Sequence, residues 1–276
     1  MNNNGTLAKV TESLDMLRAG TVDIAMGLQY FYPDVFPLTE AYTLPTIDIG
    51  SAKERSQNLM DVYLNTDLLT DEYKDYKVIM IRVSENQPFL LNKKISKMED
   101  LRGQKLRIGF NPVIMWADEF GIKCEGVPIN ETYSVLQNGS FDGTLMGWQA
   151  IEAWRFYEVI DYIVDVPVFT STFFFMMNLN KYNSLPDWAK EVIDDCSGFN
   201  GLEVIIDAWD EAVISVAALC DEEGVEIYSL DAAALKEMQD VAAITNQRWI
   251  DNLEAKGLPG QRMYDTMMET AAKYKK

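Results

Sequence analysis

The sequence contains no histidine, and this absence excludes several kinds of chemistry at once. Histidine is the commonest general base and the commonest transition-metal ligand in proteins, so a Ser-His-Asp triad cannot form here. Cysteine is scarce: Cys124, Cys196 and Cys220 are scattered, with no CxxC pair of the kind that zinc sites use. We therefore expect no metal or other cofactor, and we expect the three cysteines to be buried free thiols.

Positive charge is also in short supply, with 24 basic residues against 43 acidic ones and a net charge of −19. Such a chain repels phosphate groups, so nucleic acids and anionic membranes are not expected as partners. No apolar run approaches the roughly 18 residues that a membrane-spanning helix needs. The first residues lack the basic and apolar regions of a signal peptide.

The usual sequence signatures of catalysis are missing. There is no GxSxG nucleophile elbow, no GxGxxG and no phosphate-binding GxxxxGK[ST]. Neighbouring carboxylates such as Asp194 and Asp195 fit the solvated face of a helix. The sequence therefore predicts that the protein is not an enzyme.

Strand-like and helix-like segments alternate along the 276 residues, of which 48% are hydrophobic. This pattern predicts an α/β fold with mainly parallel sheets. The stretches LRAGTVD (17–23) and LQNGSFD (136–142) have the same form. In each, we expect a helix to end at the glycine and a buried strand to follow.

One predicted strand carries charge on alternate positions. In KLRIGF (105–110), Lys105 and Arg107 share one face, whereas central parallel strands are normally apolar on both faces. Ligands of open α/β sheets bind at the carboxyl ends of strands, where Arg107 would suit a carboxylate through two parallel hydrogen bonds. The alternative is a surface arginine that pairs with one of the many acidic residues.

Aromatic residues offer a second candidate surface. Trp148 follows Met146 and Gly147 at a predicted strand-to-helix junction, where it could line a pocket. The alternative is that Trp148 belongs to the core, as the spacing of the neighbouring aromatic residues indicates.

The motifs together resemble the DctP-like family, the solute-binding proteins of TRAP transporters. The similarity runs from about Gly5 to the C-terminus and rests on blocks that occur in the family's order. These blocks are LRAGTVDIAMG, YFYPDVFPLTEAYTLP, LTDEYKDYKV, EDLRGQKLRIGF, ETYSVLQNGSFDG, RFYEVIDYI and FFFMMNLNKYNSLPDWAKEVI.

The resemblance implies two α/β lobes of the periplasmic-binding-protein type, which are joined by hinge strands, spanned by a long bent helix and close on a ligand. On this basis the expected segments are lobe I at 1–84 and about 172–212, lobe II at 85–171 and about 235–276, and a spanning helix at 184–223. Family members begin with further elements before the block that starts at Gly5, so we expect lobe I to be incomplete at its N-terminus. A strand edge left exposed there would be prone to association.

The resemblance also implies a function outside the cytoplasm, in the periplasm or its equivalent. The family binds small organic acids through a carboxylate and hands them to membrane subunits that couple uptake to an ion gradient. The alternatives are a ligand-sensing module of the same fold and, from another class, an α/β enzyme that acts on a small acid.

The family's ligand-clamping arginine corresponds to Arg107. The sequence departs from the sialic-acid-binding branch at three cleft positions, where Gln87 replaces a second arginine, Met146 replaces an asparagine and Leu28 replaces a glutamate. These changes predict a less polar pocket for a smaller or more apolar carboxylate, aromatic or branched, packed by Met146, Trp148 and Phe173. The full set of expected ligand-binding residues is Arg107, Met146, Trp148, Phe173, Gln87, Thr172, Phe110, Gln29 and Leu28.

Overall fold

The structure, a computed structural model, describes residues 9–275. Its strands are β1 (Ile24–Leu28), β2 (Tyr76–Val83), β3 (Gln87–Leu91), β4 (Lys105–Arg107), β5 (Lys123–Glu125), β6 (Gly143–Leu145), β7 (Tyr162–Phe169), β8 (Thr172–Asn178) and β9 (Glu226–Tyr228). Its helices are α1 (Ser13–Arg18), α2 (Ala52–Asn65), α3 (Thr70–Tyr73), α4 (Asn111–Glu119), α5 (Ile129–Gln137), α6 (Trp148–Ala153), α7 (Leu179–Asn183), α8 (Asp187–Asp195), α9 (Phe199–Glu222), α10 (Ala232–Glu254) and α11 (Gly260–Tyr274). Short 3₁₀ helices cover Val10–Glu12, Gln29–Phe31, Thr39–Thr43, Met98–Leu101 and Phe156–Glu158.

The strands form two sheets, one in each lobe, so the predicted two-lobed α/β fold is confirmed. The first sheet has the order β1-β8-β2 and the second has the order β5-β4-β6-β3-β7-β9. Parallel pairing joins β4 to β5 and β6, and β7 to β9. The pairs on both sides of β8 and of β3 are antiparallel, which the alternation of strands and helices did not predict.

Two of the chain's passages between the sheets are extended, and they account for the antiparallel pairs β2–β8 and β3–β7. The chain leaves the first sheet between β2 and β3 and returns between β7 and β8, so outgoing and returning strands lie side by side. At the crossing, Ser84 N donates to Ser171 O at 2.8 Å and Ser171 N donates to Ser84 Oγ at 2.9 Å. These two residues hold the hinge strands together.

Both similar junctions end a helix as expected. Gly20 follows α1 with a φ of 68° and Gly139 follows α5 with a φ of 71°, a conformation that side chains with a Cβ rarely adopt. Strands β1 and β6 then begin at Ile24 and Gly143. The same junction, a helix that ends at a glycine before a strand, thus leads into one sheet in each lobe.

The segment expected as one spanning helix consists of two helices. Helix α8 ends at Asp195 and α9 begins at Phe199, with Gly198 between them at a φ of 68°. Gly201 lies in the first turn of α9, where a Cβ would come within 2.7 Å of the Cys196 carbonyl oxygen. The predicted bend is therefore a break between two helices. The positive φ of Gly198 and the close approach of backbone to Gly201 both favour glycine at these positions. Helix α9 packs on α2 and β2 of the first lobe and on α6 and β9 of the second.

The C-terminal region does not stay with the second lobe, where 235–276 was expected. The first half of α10 packs there, since Ala234, Met238 and Ala242 belong to that core. Trp249 and the following α11 join the core of the first lobe, and α11 packs on α2. The sequence Gly257-Leu258-Pro259-Gly260 separates the two helices, because Gly257 adopts a φ of 76° after α10.

Strand β1 lies at the edge of the first sheet among the described strands, and it exposes Ile24 (43%) and Met26 (62%). The block that begins at Gly5 and the expected incompleteness of lobe I lie outside the described residues.

The cysteines are free, but only Cys220 is buried; Cys196 is exposed and Cys124 lies between these extremes, so the expectation of three buried thiols was wrong. No helix within residues 9–275 is both long enough and apolar enough to cross a membrane. In the same residues no cluster of acidic and cysteine side chains has the arrangement of a metal site.

Candidate functional site

Arg107 ends β4 at the side of the second lobe that faces the first. Its neighbour Leu106 is fully buried, and alternation places Lys105 and Arg107 on the opposite face. Lys105 Nζ pairs with Glu125 at 2.6 Å near the surface. Arg107 forms no ion pair with the described side chains; its Nε donates to Val127 O at 3.1 Å. Arg107 is partly buried, and this desolvation lowers the pKa of its guanidinium.

Tyr30 extends from the first lobe toward this arginine. It lies in the 3₁₀ turn that follows β1, and burial raises its pKa to about 12 although the Arg107 charge acts in the opposite direction. Its ring centroid lies 5.3 Å from that of Phe110 and 6.5 Å from that of Phe169, both in the second lobe. Tyr30 therefore connects the two lobes beside the guanidinium.

Phe110 and Phe169 form an aromatic wall that packs against Tyr30. Their centroids are 3.9 Å apart and their planes differ by 8°. Phe110 stands before the first turn of α4 and Phe169 ends β7, so two separate elements bring the rings together. A flat apolar surface near a partly buried cation suits a planar group that carries a negative charge.

Gln29 and Thr172 lie deeper in the first lobe, behind Tyr30. Both are buried, and they line a narrow space of about 190 Å³. The remaining lining residues are Tyr30, Pro33, Phe36, Glu40 and Thr43. The structure thus brings two of the predicted residues together here, and Tyr30 links them to Arg107.

Leu28 and Phe173 face the other side of the first sheet. They are cross-strand partners, and Phe173 in turn pairs with Arg82 on β2. The guanidinium carbon of Arg82 lies 4.5 Å from the Phe173 ring centroid and 3.6 Å from that of Trp209 on α9. Because successive residues of a strand point to opposite faces, Thr172 and Phe173 do not line the same space.

Gln87 lies at the hinge. It begins β3, and its Nε2 donates to Ser171 Oγ at 2.6 Å between the two chain crossings. Gln87, which replaces the second arginine of the sialic-acid-binding branch, is thus held by a hydrogen bond within the protein.

Met146 and Trp148 are both buried in a hydrophobic cluster on one face of the second sheet, with Leu90, Phe141 and Val216 of α9. Trp148 begins α6 and retains only 4% of its exposure. Helix α9 covers this face, so Trp148 lies in the core, which was the alternative interpretation of this residue.

Several side chains at the junction of the lobes were not among the expected ligand-binding residues. They are Tyr30, Glu40, Arg82, Phe169 and Trp209. The sequence offered signals for two of them. Arg82 stands near the end of an otherwise apolar strand, as Arg107 does, and Tyr30 opens the aromatic run Tyr30-Phe31-Tyr32 directly after β1.

Solved structures share this architecture over nearly the whole chain. One is a TRAP solute-binding protein from a marine metagenome, described as specific for aromatic acid ligands and solved with metahydroxyphenylacetate. It is 28% identical with a TM-score of 0.90, over 98% of this chain and 85% of that one. A TRAP solute-binding protein from Rhodoferax ferrireducens, solved with copurified benzoate, is 22% identical with a TM-score of 0.89, over 97% of this chain and 84% of that one.

Two sequence relatives are matched over shorter stretches. A solute-binding protein of Albidiferax ferrireducens is 24% identical over 156 residues, which is 55% of this chain and 46% of that protein. A second relative, from Haemophilus influenzae, is matched over 29% of its length, so the chain matches about a third to a half of these curated relatives. The sequence model of one family, described as bacterial extracellular solute-binding protein, family 7, matches residues 1–251. The chain therefore belongs to the DctP family of bacterial extracellular solute-binding proteins.

Proposed function

We propose that this protein binds a small aromatic carboxylate between its lobes, with Arg107 as the residue that holds the acid group. The observation that carries the proposal is the position of Arg107, which is partly buried, forms no ion pair with the described side chains and lies close to Tyr30 of the opposite lobe, whose ring packs on Phe110 and Phe169. A partly buried guanidinium without an acidic partner is unfavourable, and a bound carboxylate would neutralise it through two parallel hydrogen bonds.

The aromatic wall supports an aromatic ligand in particular. Met146 and Trp148, which were expected to pack the ligand, are engaged in the second lobe's core. The rings that pack against Tyr30 close to Arg107 are those of Phe110 and Phe169, which are themselves buried in the second lobe's core. The aromatic acids bound by the structurally similar marine and Rhodoferax proteins are consistent with this assignment.

Calorimetry with benzoate tests the role of Arg107. We expect Arg107→Ala to lose at least about 30-fold in affinity, since removing one partner of a buried charge pair commonly costs 2–5 kcal/mol. Arg107→Lys should also bind poorly, because an ammonium cannot replace the two-pronged contact. The matched control is Arg102→Ala, which removes an exposed arginine of the same lobe. Benzoate affinity that survives in a folded Arg107→Ala variant would reject Arg107 as the clamp.

We further propose that the protein acts outside the cytoplasm and delivers its ligand to the ion-coupled membrane subunits of a TRAP transporter. Family membership supports both statements. The test is uptake of radiolabelled benzoate into proteoliposomes that contain the cognate membrane subunits and an ion gradient. Uptake should require the protein and should fail with Arg107→Ala; uptake at the same rate without the protein would contradict the proposal.

A further inference from the structure

The narrow space behind Tyr30 is bounded by the first lobe alone. Its walls are the 3₁₀ turns Gln29–Phe31 and Thr39–Thr43, the residues between them, and the start of β8. In this conformation it is too narrow to admit a water molecule. Polar atoms in its walls therefore cannot rely on water that enters from the cleft.

A chain of hydrogen bonds fixes the orientation of one wall residue, Gln29. Thr39 Oγ1 donates to Glu72 Oε2 at 2.5 Å, and the Glu72 carboxyl also accepts from the backbone N–H groups of Leu38 and Thr39. When Glu72 is ionised, above a pH of about 7, the Thr39 hydroxyl proton is engaged by the carboxylate, so the Thr39 oxygen accepts from Tyr73 Oη at 3.0 Å. The Tyr73 oxygen in turn accepts from Gln29 Nε2 at 3.1 Å.

This chain of hydrogen bonds determines which end of the Gln29 amide faces the narrow space. With its nitrogen directed to Tyr73, Gln29 must present Oε1 on its other side. Among the described residues, Gln29 Oε1 and Thr172 Oγ1 have no hydrogen-bond partner, and the two side chains are only 2% and 0% exposed. A buried polar atom without a partner costs about 1–3 kcal/mol, so both atoms are suited to pair with an incoming group.

The third polar group in the wall is the carboxyl of Glu40, whose Oε2 accepts from Trp249 Nε1 at 2.8 Å. Gln29 Oε1 and the Glu40 carboxyl both accept hydrogen bonds, and Glu40 adds negative charge when it is ionised. The lining thus favours a hydrogen-bond donor and disfavours a carboxylate.

We propose that this space selects a ring hydroxyl of the ligand, with Gln29 Oε1 accepting its proton and Thr172 Oγ1 bonding its oxygen. The inference rests on the proposed function, in which the acid group of the same ligand is bound by Arg107. Tyr30 lines the space and also lies beside Arg107, so the two subsites are neighbours. Tyr30 must move before the hydroxyl can enter the space. When the lobes separate, Phe110 and Phe169 no longer pack against the Tyr30 ring, and Tyr30 can then move. Gln29 and Thr172 are specificity-determining residues, and Tyr73 positions Gln29.

The experiment compares ligands of equal shape that differ only in the donor. Calorimetry measures the wild-type affinities for 3-hydroxybenzoate against 3-methylbenzoate, and for 4-hydroxybenzoate against 4-methylbenzoate. We expect the hydroxyl compound of at least one pair to bind about tenfold or more tightly, because its methyl counterpart leaves the buried acceptor unpaired. Gln29→Met and Thr172→Val should each reduce this ratio toward one, and Tyr73→Phe should reduce it by loosening Gln29. Thr21→Val, which alters an exposed threonine, should preserve it.

The outcomes separate this inference from the proposed function. Equal affinities for both compounds of each pair, or a ratio that survives both Gln29→Met and Thr172→Val, would overturn the inference and leave the carboxylate site intact. Binding of none of the four acids by the wild type would reject the proposed function and the inference together. Thermal melts establish that each variant is folded before its ratio is interpreted.

Discussion

Gln87 Nε2 donates to Ser171 Oγ at 2.6 Å, and this bond joins the two chain segments that cross between the lobes. Ser171 also bonds with Ser84 through its backbone, so three residues from both crossings form one connected group. This group lies where both hinge strands pass between the lobes, so we expect it to influence motion of one lobe relative to the other.

Removal of the Ser171 hydroxyl should weaken the hinge measurably. We expect Ser171→Ala to lower the melting temperature by about 2–4 °C, since one lost buried hydrogen bond costs about 1 kcal/mol in a chain of this size. Differential scanning calorimetry provides the measurement. Ser140→Ala, at an exposed serine, is the matched control and should leave the melting temperature unchanged. Equal melting temperatures for the two variants would show that the Gln87–Ser171 bond contributes nothing.

Glu72 should make stability depend on pH. Burial raises its pKa from 4.5 to about 7 in the folded protein, so between these values the folded state binds more protons than the unfolded state. Stability from this group is therefore fully present below about pH 4.5 and is lost as the pH rises through about 7. Glu72→Gln cannot titrate, and its free energy of unfolding should fall less over this interval than that of the wild type, by on the order of 1–3 kcal/mol. Urea denaturation at pH 4.5, 5.5 and 7.5 makes the comparison; parallel pH profiles for the two proteins would contradict it.

The C-terminal helix should be required for the stability of the first lobe. Met267 on α11 is fully buried in that lobe's core, and its neighbour Met268 is 39% exposed. We expect Met267→Ala to cost about 2–5 kcal/mol of unfolding free energy, because it leaves a cavity against α2. Met268→Ala should cost about 0.5 kcal/mol or less. Urea denaturation distinguishes them, and similar midpoints for both variants would place α11 outside the core.

The exposed apolar side chains of β1 should promote self-association. Met26 is 62% exposed on a strand that has β8 as its only neighbour among the described strands. A charge at such an edge hinders edge-to-edge pairing, so Met26→Glu should lower the light scattering of concentrated samples without lowering the melting temperature. Unchanged scattering with an unchanged melting temperature would indicate that β1 does not mediate association.

The sequence predicted the general fold, and for the candidate site what could be predicted differs from residue to residue. The face of the strand on which Arg107 lies followed from its alternation with Leu106, which is a local pattern. Tyr30 could not be assigned in this way, because its proximity to Phe110 and Phe169 depends on how the lobes meet.

Two other expectations depended on long-range packing. Trp148 stands at a junction that could have faced the cleft, but α9 folds over that face and buries it. The break between α10 and α11 was visible in the sequence as Gly257 and Pro259. Which lobe α11 would join was not visible, since its apolar face fits any core of suitable shape.

The placement of α11 has a consequence for synthesis of the chain. The first core includes Met263, Met267 and Ala271, whereas the second core extends no further than Ala242. On the ribosome the second lobe can thus assemble before α11 has been synthesised. The core of the first lobe, which also includes residues that precede the second lobe in the sequence, is completed only when α11 emerges, and this reverses the usual order in which N-terminal units fold first.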